Sequence, residues 1–233
     1  MIDILLAGVG GQGTVLAAKV LAQAAQSKGW QVRTAETIGM AQRGGNVTSH
    51  VRMGPNGEAI YSPLITPGTA DMVIALEPGE AARALPYLAP GGVLVTATTA
   101  IHPVTAALAS QPYRAGDVVA ALANSLQAEA SREQAAETIV APNAVTTAQD
   151  ASADGVEGYP VPLFIPVDDE ALVREAGAGS RKSLNMMLLA VAVAQGRVPL
   201  TVDELKDAVR ACVKPQFVAM NLAAIDTAVA NFG

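Results

Sequence analysis

The chain has 233 residues, a net charge of −6 and only 3% aromatic residues. That length suits one α/β domain with a core of Ala, Val, Leu, Ile and Met, and an acidic balance without a basic run argues against nucleic-acid or acidic-membrane partners. Cys212 is the only cysteine, which excludes an intrachain disulfide and any cysteine-held iron–sulfur cluster or zinc site built by this chain alone.

Ile2-Asp3-Ile4-Leu5-Leu6-Ala7 reads as a short buried strand, so no signal peptide is expected. Gly8-Val9-Gly10-Gly11-Gln12-Gly13 follows at once. Thr14 then opens a helical run with Leu16, Val20, Leu21 and Ala24 on one face. Gln31–Ala35 reads as a second, parallel strand ending at Glu36. A loop over residues 37–45 leads into a third strand, Asn46–Met53, by alternation of Val47, Ser49 and Val51. Gly54-Pro55-Asn56-Gly57 is a turn, and Ala59-Ile60-Tyr61 is expected as a short return strand. Met72–Leu76 is a further buried strand, Glu80–Leu88 a short helix, and Pro90-Gly91-Gly92 a turn into the strand Val93–Thr96.

From about Ala115 to Gly158 the composition shifts to Ala, Ser, Thr, Asp and Glu. Val118, Val119, Leu122 and Leu126 have helical spacing, so a helical insertion is expected, with Ala148–Gly158 as a linker. Val161–Pro166 reads as the last strand, its prolines suited to strand ends. The remainder is helical: Ala171–Glu175, the apolar Ser183–Ala194, a helix from Val202 capped by Thr201 with Glu204 three residues on, and a last helix from Pro215. The run Leu184–Ala194 is too short to span a bilayer. A cytoplasmic protein is expected, with one Rossmann-like domain, a largely parallel sheet, helices on both faces and a helical C-terminal segment.

Strand, glycine turn and helix together form a cradle for a phosphate or nucleotide, because glycines let the backbone approach an anion and the helix start offers unpaired N–H groups. The same turn also serves plain tight packing. Glu36 stands where a dinucleotide fold places its ribose-binding acid, which keeps a nicotinamide or flavin reading open. Arg43 beside Gly44 and Gly45 is suited either to a phosphate or carboxylate or to an acid on the surface. Arg181-Lys182-Ser183 with Asn185 makes a basic helix entrance for an anion, or a solvated helix start. His50 reads as a hydrogen-bonded structural residue facing away from Ser49. His102 has no evident companion, and Cys212 reads as a small buried hydrophobe. No Ser/His/Asp set and no carboxylate pair for a metal is apparent.

Gly8-Val9-Gly10-Gly11-Gln12-Gly13, Gly39-Met40-Ala41-Gln42-Arg43-Gly44-Gly45 with Ser49-His50-Val51-Arg52, and Ser183-Leu184-Asn185-Met186-Met187 together resemble the γ-type subunit of 2-oxoacid:ferredoxin oxidoreductases. The Gly-Met-Ala-Gln-Arg-Gly-Gly string favours the indolepyruvate branch, where the likeness is to the β subunit. It covers about residues 1–105 and 160–230, and about 111–160 departs from it as an insertion.

The resemblance implies a complex that oxidatively decarboxylates a 2-oxo acid, makes an acyl-CoA and reduces ferredoxin. It implies thiamine diphosphate and iron–sulfur clusters on a partner α subunit, ferredoxin reached through the complex, and an isolated chain without activity. Carried over, the family's turn falls on Gly8, Gly10, Gly11, Gln12 and Gly13, followed by Thr14. Its arginine loop falls on Met40, Gln42, Arg43, Gly44 and Gly45. These residues are expected to bind a phosphate-bearing ligand such as the nucleotide end of CoA, or to shape the contact with the catalytic subunit. A stand-alone nicotinamide- or flavin-binding oxidoreductase and a non-catalytic docking subunit are the alternatives.

Overall fold

A computed structural model describes residues 1–39, 45–55, 57–101, 113–140, 162–177 and 181–233. Six strands form one sheet: β1 (Ile2–Val9), β2 (Gln31–Ile38), β3 (Asn46–Gly54), β4 (Ala70–Ala75), β5 (Leu88–Ala97) and β6 (Leu163–Val167). Their order is β2-β3-β1-β4-β5-β6. The neighbours β1–β4, β4–β5 and β5–β6 are parallel, whereas β3 runs antiparallel to both β1 and β2. The expected α/β sheet is present, and β3 is its one reversed strand.

Helices cover both faces: α1 (Thr14–Ser27), α2 (Pro78–Ala84), α3 (Ala115–Val140), α4 (Asp169–Glu175), α5 (Leu184–Ala194), α6 (Val202–Cys212) and α7 (Pro215–Phe232). Side chains alternate across a strand, so β1 sends Ile4 and Leu6 to one core and Leu5 and Ala7 to the other. The larger core receives α1, α5, α6 and α7. The smaller receives α2 and the start of α3, where Leu122 and Leu126 are both buried, as their helical spacing anticipates.

α5 is apolar around its circumference because it is enclosed on all sides. Every residue from Leu184 to Val193 is buried, and α5 packs against α1, α6, α7, β4 and β5. Each fully buried Leu or Met contributes about 1.5–3 kcal/mol relative to exposure. α6 opens with the expected capping box, Thr201 Oγ1 accepting from the Glu204 N–H at 3.2 Å and Glu204 Oε2 from the Thr201 N–H at 2.8 Å. That backbone bond, chiefly, holds the Glu204 carboxyl below its ordinary range, with Lys28 at the end of α1 adding to it.

Three local expectations are revised. Residues 59–61 form no strand, because Ile60 instead folds back so that its carbonyl accepts from Arg33 Nε. Pro90-Gly91-Gly92 lies within β5, whose register with β4 shifts between Ala70 and Met72. β2 points the same way as β1 but is not its neighbour, since β3 lies between them. The expected linker at 148–158 lies outside the described residues.

Candidate functional site

The glycine turn lies where the sheet changes hand. β1 leads into α1 on one face, and its parallel neighbour β4 leads into α2 on the other. In open α/β sheets the crevice at the carboxyl ends of two such strands is the natural ligand position, because the outgoing chains diverge and leave space between them.

Gln12 holds that position closed from below. Its Oε1 accepts from the Val9 N–H at 2.6 Å, and its Nε2 donates to the Leu76 carbonyl at 2.7 Å. One amide thus ties the end of β1 to the residue after β4. A glutamine within the turn, unusual for a dinucleotide fold, has this structural reason. The Gly10 N–H donates to the Gly45 carbonyl at 2.8 Å, which anchors the far end of the arginine loop on the turn.

Two glycines are required by conformation. Gly13, at φ +82°, precedes α1, and an added Cβ would lie 2.5 Å from Asn185 Nδ2. Gly11, at φ +97°, has nothing within 4 Å of such a Cβ. The turn is therefore packed tightly from behind and open in front. At Gly8 the space is filled from within, an added Cβ falling 2.7 Å from Thr14 Oγ1 and 3.0 Å from Gln12 Oε1. Thr14 Oγ1 is buried and makes no hydrogen bond among the described residues.

The open side faces a cleft of about 570 Å3 lined by Gly10, Gly11, Gln12, Ala100, Ile101, Arg181, Lys182 and Leu184. The basic helix entrance and the glycine turn, about 170 residues apart in sequence, thus meet across one crevice. Asn185 links them: buried in apolar α5, it donates from Nδ2 to the Gly13 carbonyl at 3.1 Å. The arrangement suits an anion, with backbone at a helix start on one wall and two cationic side chains on the other.

Of the expected residues, Gly10, Gly11 and Gln12 line the cleft, Gly8, Gly13 and Thr14 pack behind the turn, and Gly45 meets Gly10. Met40, Gln42, Arg43 and Gly44 lie outside the described residues, as does His102. Glu36 does not join the site. It pairs with Ser49, which pairs in turn with Leu6, so a whole strand separates it from β1. At about 4.8 Å per strand it stands roughly 10 Å from β1, exposed on the sheet's edge strand. It cannot serve as the ribose acid of a dinucleotide turn, because that role needs a strand adjacent to β1.

The sequence names Asn185 only within the basic helix entrance, without its bond to Gly13, and gives Asp169 no role. A lone amide inside an eleven-residue apolar helix was a usable signal for the first. Asp169 carried none, since it reads as an ordinary acidic residue in a helix's first turn.

On the other face, His50 is structural as expected. Its Nδ1 accepts from the Ile65 N–H at 3.2 Å, its ring meets Tyr87 edge-on at 5.9 Å, and burial pushes its pKa down. Nearby, Glu77 caps α2 by accepting from the Glu80 N–H, and it also accepts from Tyr113 Oη at 2.5 Å. Burial, and then the Glu77 carboxylate, push the Tyr113 phenol well above its ordinary range. Cys212 is half-buried against the larger core and burial raises its thiol pKa. Among the described residues no group of three His, Cys, Asp or Glu side chains is placed to hold a metal ion, and no helix is long and apolar enough to cross a membrane.

Residues 3–231 match the family described as pyruvate ferredoxin/flavodoxin oxidoreductase. Indolepyruvate oxidoreductase subunit IorB of Archaeoglobus fulgidus is 31% identical over 226 residues, covering 96% of this chain and 92% of that protein. Among solved structures, the keto/oxoacid ferredoxin oxidoreductase gamma subunit from Geobacter sulfurreducens PCA superposes with a TM-score of 0.60 at 18% identity, over 99% of this chain and 97% of its own. The 2-oxoglutarate:ferredoxin oxidoreductase from Magnetococcus marinus, with 2-oxoglutarate, coenzyme A and succinyl-CoA bound, gives 0.61 at 18% identity over 98% of this chain and 30% of that one. At that identity the two structures establish the fold, and the sequence match establishes the family.

Proposed function

The chain belongs to the pyruvate ferredoxin/flavodoxin oxidoreductase family, and from that membership we propose that it is the γ-type subunit of a cytoplasmic complex that oxidises an aryl 2-oxo acid, most simply indolepyruvate. The complex decarboxylates the 2-oxo acid, transfers the acyl group to CoA and passes two electrons to ferredoxin. The indolepyruvate preference rests on the similarity to a relative of that name along nearly its whole length. In this reading thiamine diphosphate and the iron–sulfur clusters belong to a partner α subunit. One cysteine cannot supply the thiolates such a cluster needs. The whole chain is read as one domain of this type, with about 111–160 as an insertion.

The part of this chain in the reaction is to hold the phosphate-bearing nucleotide end of CoA. The observation that carries this is the meeting of Gly10, Gly11 and Gln12 with Arg181 and Lys182 around one open cleft. Open space in front of Gly11 lets a phosphate reach the turn that leads into α1. Gln12 and Asn185 keep the turn rigid from behind. CoA supplies the thiol that accepts the acyl group. This chain's residues bind and orient its remote end, so that binding energy far from the reacting atoms is used for positioning.

Calorimetry with CoA on the complex tests the site. Binding that is weakened by Arg181→Gln supports it, and unchanged binding in that variant removes the cleft from the CoA site. A companion assay uses the chain alone with indolepyruvate, CoA, thiamine diphosphate and ferredoxin. No turnover is expected, and steady ferredoxin reduction by the pure chain would overturn the division of labour.

A further inference from the structure

Asp169 is fully buried at the start of α4, yet it is a carboxylate. Its Oδ1 accepts two backbone bonds, from the Thr98 N–H at 3.1 Å and the Thr99 N–H at 3.0 Å. Its Oδ2 lies 2.6 Å from Arg181 Nη2, an ion pair in which the arginine is 31% exposed and the aspartate not at all. Thr98 and Thr99 follow β5 directly and lead into Ala100 and Ile101, which line one side of the cleft. Arg181 lines another. One buried carboxylate therefore fixes two walls of the same crevice, with a different oxygen on each.

We propose that Asp169 is a positioning residue that holds the Arg181 guanidinium in place across from the glycine turn before any ligand arrives, so that the cleft is preorganised for a phosphate group. This rests on the phosphate-binding reading of the cleft. A free arginine gives up side-chain freedom when it closes on an anion, and that loss subtracts from affinity. Here the guanidinium is already held by charge through one nitrogen, an ion pair that lacks hydrogen-bond alignment, and the side chain lines the cleft. Supporting partners of this kind keep a binding residue within the narrow geometry that the ligand requires.

Asp169→Asn separates the two oxygens' roles. An asparagine keeps an acceptor for Thr98 and Thr99 and removes the charge that holds Arg181. The assay is steady-state kinetics of the assembled complex with varied CoA, together with calorimetry using adenosine 3′,5′-bisphosphate. Asp169→Asn is expected to raise KM for CoA about tenfold with kcat held, and to weaken the bisphosphate by the same factor, about 1.4 kcal/mol. Arg181→Gln is expected to do at least as much, and the double variant no more than Arg181→Gln alone, because Asp169 acts only through the arginine.

A loss of kcat at constant KM, unchanged affinity in Asp169→Asn, or losses that multiply in the double variant would overturn the proposal. If the bisphosphate does not bind the unsubstituted complex, the phosphate reading itself fails and this inference fails with it. That result is distinct from bisphosphate binding that responds to Arg181→Gln but not to Asp169→Asn, which sinks the positioning role alone. Should Asp169→Asn not fold, nitrogen NMR of the unsubstituted chain decides the matter. Slow rotation of the Arg181 guanidinium without ligand is expected, and free rotation overturns the proposal.

Discussion

Gln12→Ala is the sharpest probe of how the turn is held. The side chain makes two bonds, to the Val9 N–H and the Leu76 carbonyl, both in partly buried surroundings. Each such bond contributes about 1 kcal/mol net, so removing both should destabilise the chain by about 2 kcal/mol. For a domain of this size that is a drop in Tm of roughly 4–8 °C. Urea unfolding at constant m-value is the assay. Gln12→Glu refines it. The carboxylate still accepts from Val9 but sets an oxygen against the Leu76 carbonyl, so destabilisation at pH 7 should be at least as large. At about pH 4 the acid form can donate to that carbonyl, and the deficit relative to wild type should shrink. A loss under about 0.5 kcal/mol for Gln12→Ala, or a Gln12→Glu deficit independent of pH, would refute the account of Gln12 as the stitch between β1 and β4.

Gly13→Ala should suffer the left-handed strain, about 1–2 kcal/mol, plus the collision with Asn185 Nδ2. Adding Asn185→Ala removes the collision, so the double variant should be less destabilised than the sum of the singles; strict additivity in denaturation would disprove the contact. His50 sets a pH dependence. Burial lowers its folded pKa below the ordinary 6.5, so between the two values the unfolded chain binds the extra proton. Stability is then complete above about pH 6.5 and declines as pH falls through that window, by at most about 1.4 kcal/mol per pH unit. The slope of Tm against pH between 5 and 7 should flatten in His50→Gln, and an unchanged slope would assign the dependence to other groups.

Much of this protein is written locally. Strand β1, the glycine turn and the start of α1 are adjacent in sequence, so their alternation, turn chemistry and helical period could be read directly. The capping box at Thr201 and Glu204 is equally local, since both bonds span three residues. The site's first wall, Gly10 to Gln12, follows from the same short segment. Its second wall does not. Arg181 and Lys182 meet the turn only because α5 is buried against α1 and the sheet. Asn185 reaches Gly13, and Gln12 reaches Leu76, across distances no local pattern records. The place of Glu36 shows the converse: its spacing from the glycine turn matches a ribose-binding acid. β3 inserts antiparallel between β1 and β2 and moves it to the sheet edge. Pairing order is chosen by which strands bury the most apolar surface together, a property of the whole sheet. Sequence alone therefore determined most of the elements and the glycine turn, while tertiary packing decided what stands opposite that turn and which acid is kept from it.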